Sequence, residues 1–199
     1  ADATGHGTPA ALITAAARSC FARLETENLS LIEMLKAWDI SVSGCSQRQV
    51  FMTGLLFRIN TVTGQGAFVN AAHESPFVLR ANEDGTFALD HLPTETTARI
   101  GDDIRPDLRE EPFSLAPNES IILYTDGLFS IVREGKALSE RRFGKNLATR
   151  AEFLRSAKEL TQATLSAFNE HRQDLPLPDD VSIVAIRRKG PHKKSFLEN

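Results

Sequence analysis

The chain has 199 residues, 41% of them hydrophobic and 25% charged, which is the makeup of a soluble globular domain long enough to bury a sizeable core. Its net charge of −3 and pI near 6.0 supply no field that would gather polyanions, so nucleic acid is not an expected partner. No apolar run nears the roughly 20 residues of a spanning helix, the N-terminus lacks a secretory pattern, and Cys20 and Cys45 have no metal or disulfide spacing, so a cytoplasmic location without membrane contact is expected.

From Pro9 to Leu24 the sequence is dense in alanine and leucine, and Pro9 suits a first helical turn, which predicts a helix entered from a glycine loop. Ser30 followed by Glu33 has capping-box spacing, and Leu31, Ile32, Met34, Leu35 and Trp38 make a second helix stacked on the first. Val50 to Ile59, a turn at Thr63-Gly64-Gln65-Gly66 and a return over Ala67 to Ala72 predict a hairpin. Phe77–Arg80 and Thr86–Leu89 flank the turn residues Asn82 to Gly85, so the middle of the chain reads as an antiparallel meander. The acidic stretch with Asp102, Asp103, Asp107, Glu110 and Glu111 reads as a solvated loop.

Beyond it, Ala116 to Glu119 turn into Ser120–Thr125, a continuous apolar run expected to be a central strand ending at Asp126-Gly127. A helix is expected from Ala151 to about Arg172, where Phe153, Ala157, Leu160, Thr164 and Phe168 recur at helical spacing. After Leu175-Pro176-Leu177-Pro178, Asp179 and Asp180 lead into a last strand and a basic tail. This order implies an α+β layered domain over residues 1–189 and a flexible basic tail over 190–199. The chain opens without methionine directly into a loop and helix, so residues upstream are expected to be missing.

The chemically suggestive residues share one position: each lies in a turn against an apolar element. Asp2 precedes the glycine loop, Asp126 ends the most apolar strand, and Asp179 and Asp180 begin the last one. Carboxylates at strand ends can converge, and hard oxygen donors suit magnesium or manganese. Taken singly, each aspartate is equally well an ordinary turn residue. His6, His73, His91, His171 and His192 show no pair at zinc-ligand spacing.

Four runs at these positions decide between the two. Asp2-Ala3-Thr4-Gly5-His6-Gly7-Thr8-Pro9-Ala10-Ala11, Phe68-Val69-Asn70-Ala71-Ala72-His73-Glu74-Ser75-Pro76, Leu123-Tyr124-Thr125-Asp126-Gly127-Leu128 and Asp179-Asp180-Val181-Ser182-Ile183 stand in the order of blocks in the bacterial phosphatase 2C-type (PPM) family, and Arg142-Phe143-Gly144 adds a further match. The chain resembles that family in its stage II sporulation protein E-like branch. The resemblance implies a phosphatase 2C-like sandwich of two antiparallel β-sheets flanked by helices, with the N-terminal strands missing. It implies a two-metal centre of Mn2+ or Mg2+, with Asp2 bridging, the Ala3 carbonyl contributing, Asp126 and Asp179 completing one shell, and Asp180 at the neighbouring position. The implied reaction is hydrolysis of phosphoserine or phosphothreonine by a metal-activated water, on a phosphorylated anti-sigma-antagonist-type protein. An upstream sensor or receiver domain is the implied regulator, and a homodimer is a candidate assembly.

The chain departs from the family pattern in three places. The Gly-Gly-Asp strand block that precedes these motifs is absent, Thr4 stands where eukaryotic relatives place a histidine, and Ser130 stands where the branch often has an acidic residue. The rival readings are a catalytically impaired phosphatase-like binding module and a dinucleotide-binding glycine loop at Gly5 to Ala10. The second is disfavoured because helix and hairpins follow that loop, with no βαβ unit.

Overall fold

The computed structural model describes residues 1–24, 27, 29–47, 49–84, 86–95, 98–102, 108–150 and 156–190. These divide into two compact units, Ala1–Ser75 with Leu92–Ser114, and Pro76–His91 with the residues from Leu115 onward.

The first unit carries a four-stranded antiparallel sheet in the order β1 (Asp2–Ala3), β2 (Met52–Ile59), β3 (Gln65–Ala71), β6 (Glu111–Ser114), with helices α1 (Thr8–Leu24) and α2 (Leu31–Ser46). The capping box at α2 forms as its spacing predicts: Glu33 N–H donates to Ser30 Oγ at 3.2 Å, and Ser30 N–H donates to Glu33 Oε2 at 2.8 Å. Ile13 and Ala17 of α1 pack with Leu35, Trp38 and Val42 of α2 and with Met52, Leu56 and Val69 of the sheet. Each large apolar side chain in that cluster contributes about 1.5–3 kcal/mol by leaving water. Trp38 fixes the helix pair further, its Nε1–H donating to the Ala17 carbonyl at 2.7 Å.

The second unit carries an antiparallel sheet in the order β10 (Ile183–Arg187), β7 (Ser120–Tyr124), β4 (Phe77–Ala81), β5 (Phe87–His91), a two-stranded hairpin of β8 (Val132–Arg133) and β9 (Lys136–Ala137), and helices α3 (Glu140–Arg150) and α4 (Ala157–Arg172). The apolar run at 120–124 is an inner strand as expected, paired with β10 on one side and β4 on the other. Phe77 stacks on Tyr124 with ring centroids 4.9 Å apart, and both pack with Phe143 and Leu147 of α3 and Leu160 and Phe168 of α4. α4 begins at a second capping box, Ser156 with Glu159; the part of the expected helix at 151–155, with Phe153, lies outside the described residues.

Three sequence expectations are corrected. The 52–91 region is not one meander: β3 pairs with β2 and β6, whereas β4 pairs with β5 and β7 in the other sheet. The chain leaves the first sheet through Ala72, which has φ 52. The hairpin turn is centred earlier than predicted, on Asn60 to Gly64, where Asn60 Oδ1 accepts from Val62 and Thr63 N–H and Gly64 has φ 75. Gly66 is instead a strand residue, because the Phe113 ring and the Arg58 carbonyl occupy the space a Cβ would need. Finally, Glu110 and Glu111 are not simply solvated. Glu110 Oε1 accepts from Leu31 N–H at the start of α2, at 2.7 Å, and Glu111 Oε1 accepts from Glu95 N–H at 2.8 Å. Asp102 pairs with Arg99 at 2.7 Å, and Asp103 and Asp107 lie outside the described residues.

Gly66→Ala is therefore expected to destabilise the chain by about 1–3 kcal/mol in urea unfolding. A shift below about 0.5 kcal/mol would show that Phe113 can move aside freely.

Candidate functional site

In the second unit, two chain segments bearing aspartates are held together by backbone. β7 ends at Tyr124, and Asp126–Phe129 form a single 3-10 turn. Ile183 is the register partner of Tyr124, which places Asp179 to Ser182 alongside that turn. Thr125 closes the junction: its N–H donates to the Ser182 carbonyl at 3.1 Å, its hydroxyl donates to the Asp180 carbonyl at 3.2 Å, and its Oγ1 accepts from Ser182 N–H at 3.0 Å. A Cβ on Gly127 would fall on the Asp180 carbonyl, so only glycine permits this approach. Asp126, Asp179 and Asp180 are all exposed there, and one Asp179 oxygen accepts from Asp180 N–H at 2.8 Å.

In the first unit, Asp2 is half-buried on the edge strand β1, with Asp2 opposite Thr53 and Ala3 opposite Met52. Thr4 extends this short pairing: its N–H and hydroxyl both donate to the Phe51 carbonyl at 2.8 Å, and its Oγ1 accepts from Phe51 N–H at 3.0 Å. Gly5 (φ 84) and Gly7 (φ 77) then turn the chain into α1, leaving His6 exposed between them. Every β-pairing among the described residues is antiparallel, which removes the dinucleotide-loop alternative.

The same unit holds a polar cluster at Asn70–Ser75, with Asn70 buried and His73 and Ser75 half-buried, which the sequence placed in a motif block without a role. Asn70 donates from Nδ2 to the His73 carbonyl and accepts at Oδ1 from His73 N–H, both at 2.8 Å. The His73 Nδ1 lies 2.8 Å from Thr53 Oγ1. Burial pushes the His73 imidazole down to about 4. The only signal for Thr53 was its place in a strand, which carries no chemistry.

In the second unit the Asp126, Asp179 and Asp180 carboxylates, and separately in the first unit Asp2 and the Ala3 carbonyl, are hard oxygens of the kind magnesium or manganese takes, and the Gly127–Asp180 approach fixes the two acidic segments of the second unit side by side. Among the described residues, no three His, Cys, Asp or Glu side chains are grouped to hold a metal ion.

A profile of the family described as stage II sporulation protein E (SpoIIE) matches residues 1–189. The chain belongs to the SpoIIE family. It is thus a phosphatase 2C-type domain of a family of protein serine/threonine phosphatases, with an α+β fold whose described residues form two four-stranded antiparallel sheets and four helices. It is 31% identical over 133 residues to the phosphoserine phosphatase RsbP of Bacillus subtilis (strain 168), a match covering 64% of this chain and 31% of RsbP. The solved RsbU and RsbW domains of Rv1364c from Mycobacterium tuberculosis share the fold, with TM-score 0.76 and 21% identity over 96% of this chain and 52% of that one. So does the catalytic domain of the serine/threonine phosphatase PstP, solved with two manganese ions, with TM-score 0.62 and 12% identity over 93% of this chain and 84% of that one. The SpoIIE-family chain therefore spans about a third to a half of the first two relatives. Among its described residues no helix is long and apolar enough to cross a membrane.

Two measurements test this geometry. Thr125→Val removes two hydroxyl bonds and is expected to cost about 1–3 kcal/mol in urea unfolding, with Thr125→Ser retaining most of the stability; equal losses in both would refute the hydroxyl junction. His73 titrates near 6.5 when unfolded and near 4 when folded, so below pH 6.5 the unfolded state binds the extra proton and stability falls with acid. Between pH 6.5 and 4 that fall should be shallower in His73→Asn; an unchanged slope in pH-dependent denaturation would count against a neutral buried imidazole.

Proposed function

We propose that this SpoIIE-family domain is a metal-dependent protein phosphatase that hydrolyses phosphoserine or phosphothreonine on a protein partner. The observation that carries this reading is the backbone junction that holds the Thr125-Asp126-Gly127 turn against Asp179-Asp180 in a family of phosphatases. Asp2, the Ala3 carbonyl, Asp126 and Asp179 would hold two manganese or magnesium ions, with Asp180 adjoining. Once bound, such ions activate water and offset charge on the phosphoryl oxygens.

The chain's own task is then to present these carboxylates at fixed positions, and neither of its cysteines is placed to act as a covalent nucleophile. The Cys20 thiol is half-buried and turned to the Ala37 carbonyl at 3.7 Å, and Cys45 is exposed near the end of α2; neither sits in an anion-cradling loop. The likeness to RsbP, a phosphoserine phosphatase, supports a phosphoserine substrate; the family resemblance alone suggests an anti-sigma-antagonist-type protein as that substrate, in cytoplasmic signalling under an attached sensor or receiver domain. The rival reading is a phosphatase-like module that binds a protein partner without turnover.

Manganese titration and phosphate release separate the two. The full-length protein should bind manganese and release phosphate from a phosphoserine protein, and Asp126→Asn should weaken manganese binding by on the order of 100-fold. Manganese binding without any phosphate release from phosphoserine or phosphothreonine proteins would favour the binding module.

A further inference from the structure

We infer that His73 is a positioning residue for Asp2, acting through the hydroxyl of Thr53. Asp2 and Thr53 are direct register partners, and side chains of directly opposed residues project from the same face of a sheet, Cβ to Cβ about 4.5–5.5 Å. Thr53 Oγ1 therefore stands beside the Asp2 side chain, and on Thr53 Oγ1 stands His73 Nδ1 at 2.8 Å. The inference rests on the metal-centre reading above only for its consequence, not for its geometry.

The His73 backbone is held from behind by Asn70. Asn70, 3% exposed, grips both the N–H and the carbonyl of His73, and its Nδ2 also reaches Thr94 Oγ1 at 3.4 Å, which in turn meets Ser75 Oγ at 3.2 Å. Ala72 keeps a left-handed φ of 52, a conformation that a residue with a Cβ retains only where its surroundings over-determine it. That strain presents His73 to β2. A buried neutral imidazole has one donor and one acceptor nitrogen. With the proton on Nδ1, His73 donates to Thr53 Oγ1, and the Thr53 O–H remains to donate toward the Asp2 carboxylate.

This order gives the Asp2 carboxylate an orienting partner on the neighbouring strand. Outer partners of this kind fix the direction of a ligand's lone pairs, and their loss typically lowers metal affinity by about 10–100-fold.

The test uses four single variants and one double variant of the full chain, with three readouts. Thr53→Val and His73→Leu break the contact, whereas Thr53→Ser keeps a hydroxyl and His73→Asn places an amide where Nδ1 stood. The Asp2 carboxyl carbon resonance, read at pH 7 in metal-free protein, is expected to move in the first pair and return toward the wild-type position in the second. Manganese affinity is expected to fall about tenfold in the first pair, to recover within about threefold in the second, and to fall no further in the double variant Thr53→Val/His73→Leu. An unmoved Asp2 resonance overturns the inference, as does a drop in urea stability with unchanged manganese affinity. A wild-type chain that binds no manganese, yet whose Asp2 resonance still answers to Thr53→Val, removes the metal reading and leaves the positioning contact standing.

Discussion

The Asp180 carbonyl occupies the space where a side chain at residue 127 would have to lie, and the second unit is arranged around that constraint. With glycine at 127, the segment before β10 can close onto the 3-10 turn after β7, and Thr125 can spend its hydroxyl and its N–H on it. The same closure sets the register of β10 on β7 from Ile183 opposite Tyr124 to Arg187 opposite Ser120. Because sheet side chains alternate faces, this register also decides that Ile183 and Ala185 join the aromatic core around Phe77 and Tyr124. One backbone contact thus links the placement of two exposed acidic segments to the packing beneath them.

Buried hydrogen bonds, more than surface ion pairs, fix the acidic residues and the loops around them. Arg133–Glu134 at 3.8 Å and Arg150–Glu170 at 3.9 Å are solvent-exposed and long, and pairs of that kind contribute little. Glu119 differs: its side chain is 8% exposed, accepts from Ala116 N–H at 2.7 Å and meets Arg80 at 3.2 Å, so its charge is both paired and hydrogen-bonded. It holds the tight turn that launches β7. In the first unit Asn70 plays the corresponding part with neutral groups, closing the turn by which the chain leaves its sheet.

Features whose cause lies within a few residues were legible in the sequence. The Ser30–Glu33 box is one, and the Ser156–Glu159 box carried the same signal inside a stretch read simply as helix from Ala151. The hairpins were visible, but their sheet membership was not, because strand partners are chosen by contacts tens of residues apart. Gly66 looked like a turn glycine for the same reason: the ring that excludes a side chain there belongs to Phe113. Glu110 looked solvated because the N–H it caps is 79 residues away. The aspartates were found through ordered motifs, whereas the pairing of Thr53 with His73 is a contact between two unremarkable positions and had no local signature.

Gly5 and Gly7, both at positive φ, join β1 to α1, and nothing lies within 4 Å of where their Cβ atoms would stand. Local openings of low free energy concentrate in segments with so few packing contacts. Amide exchange across Gly5–Gly7 should then run far ahead of that in β7, whose amides report something near the global free energy, and the entry to α1 is where the first unit should yield first.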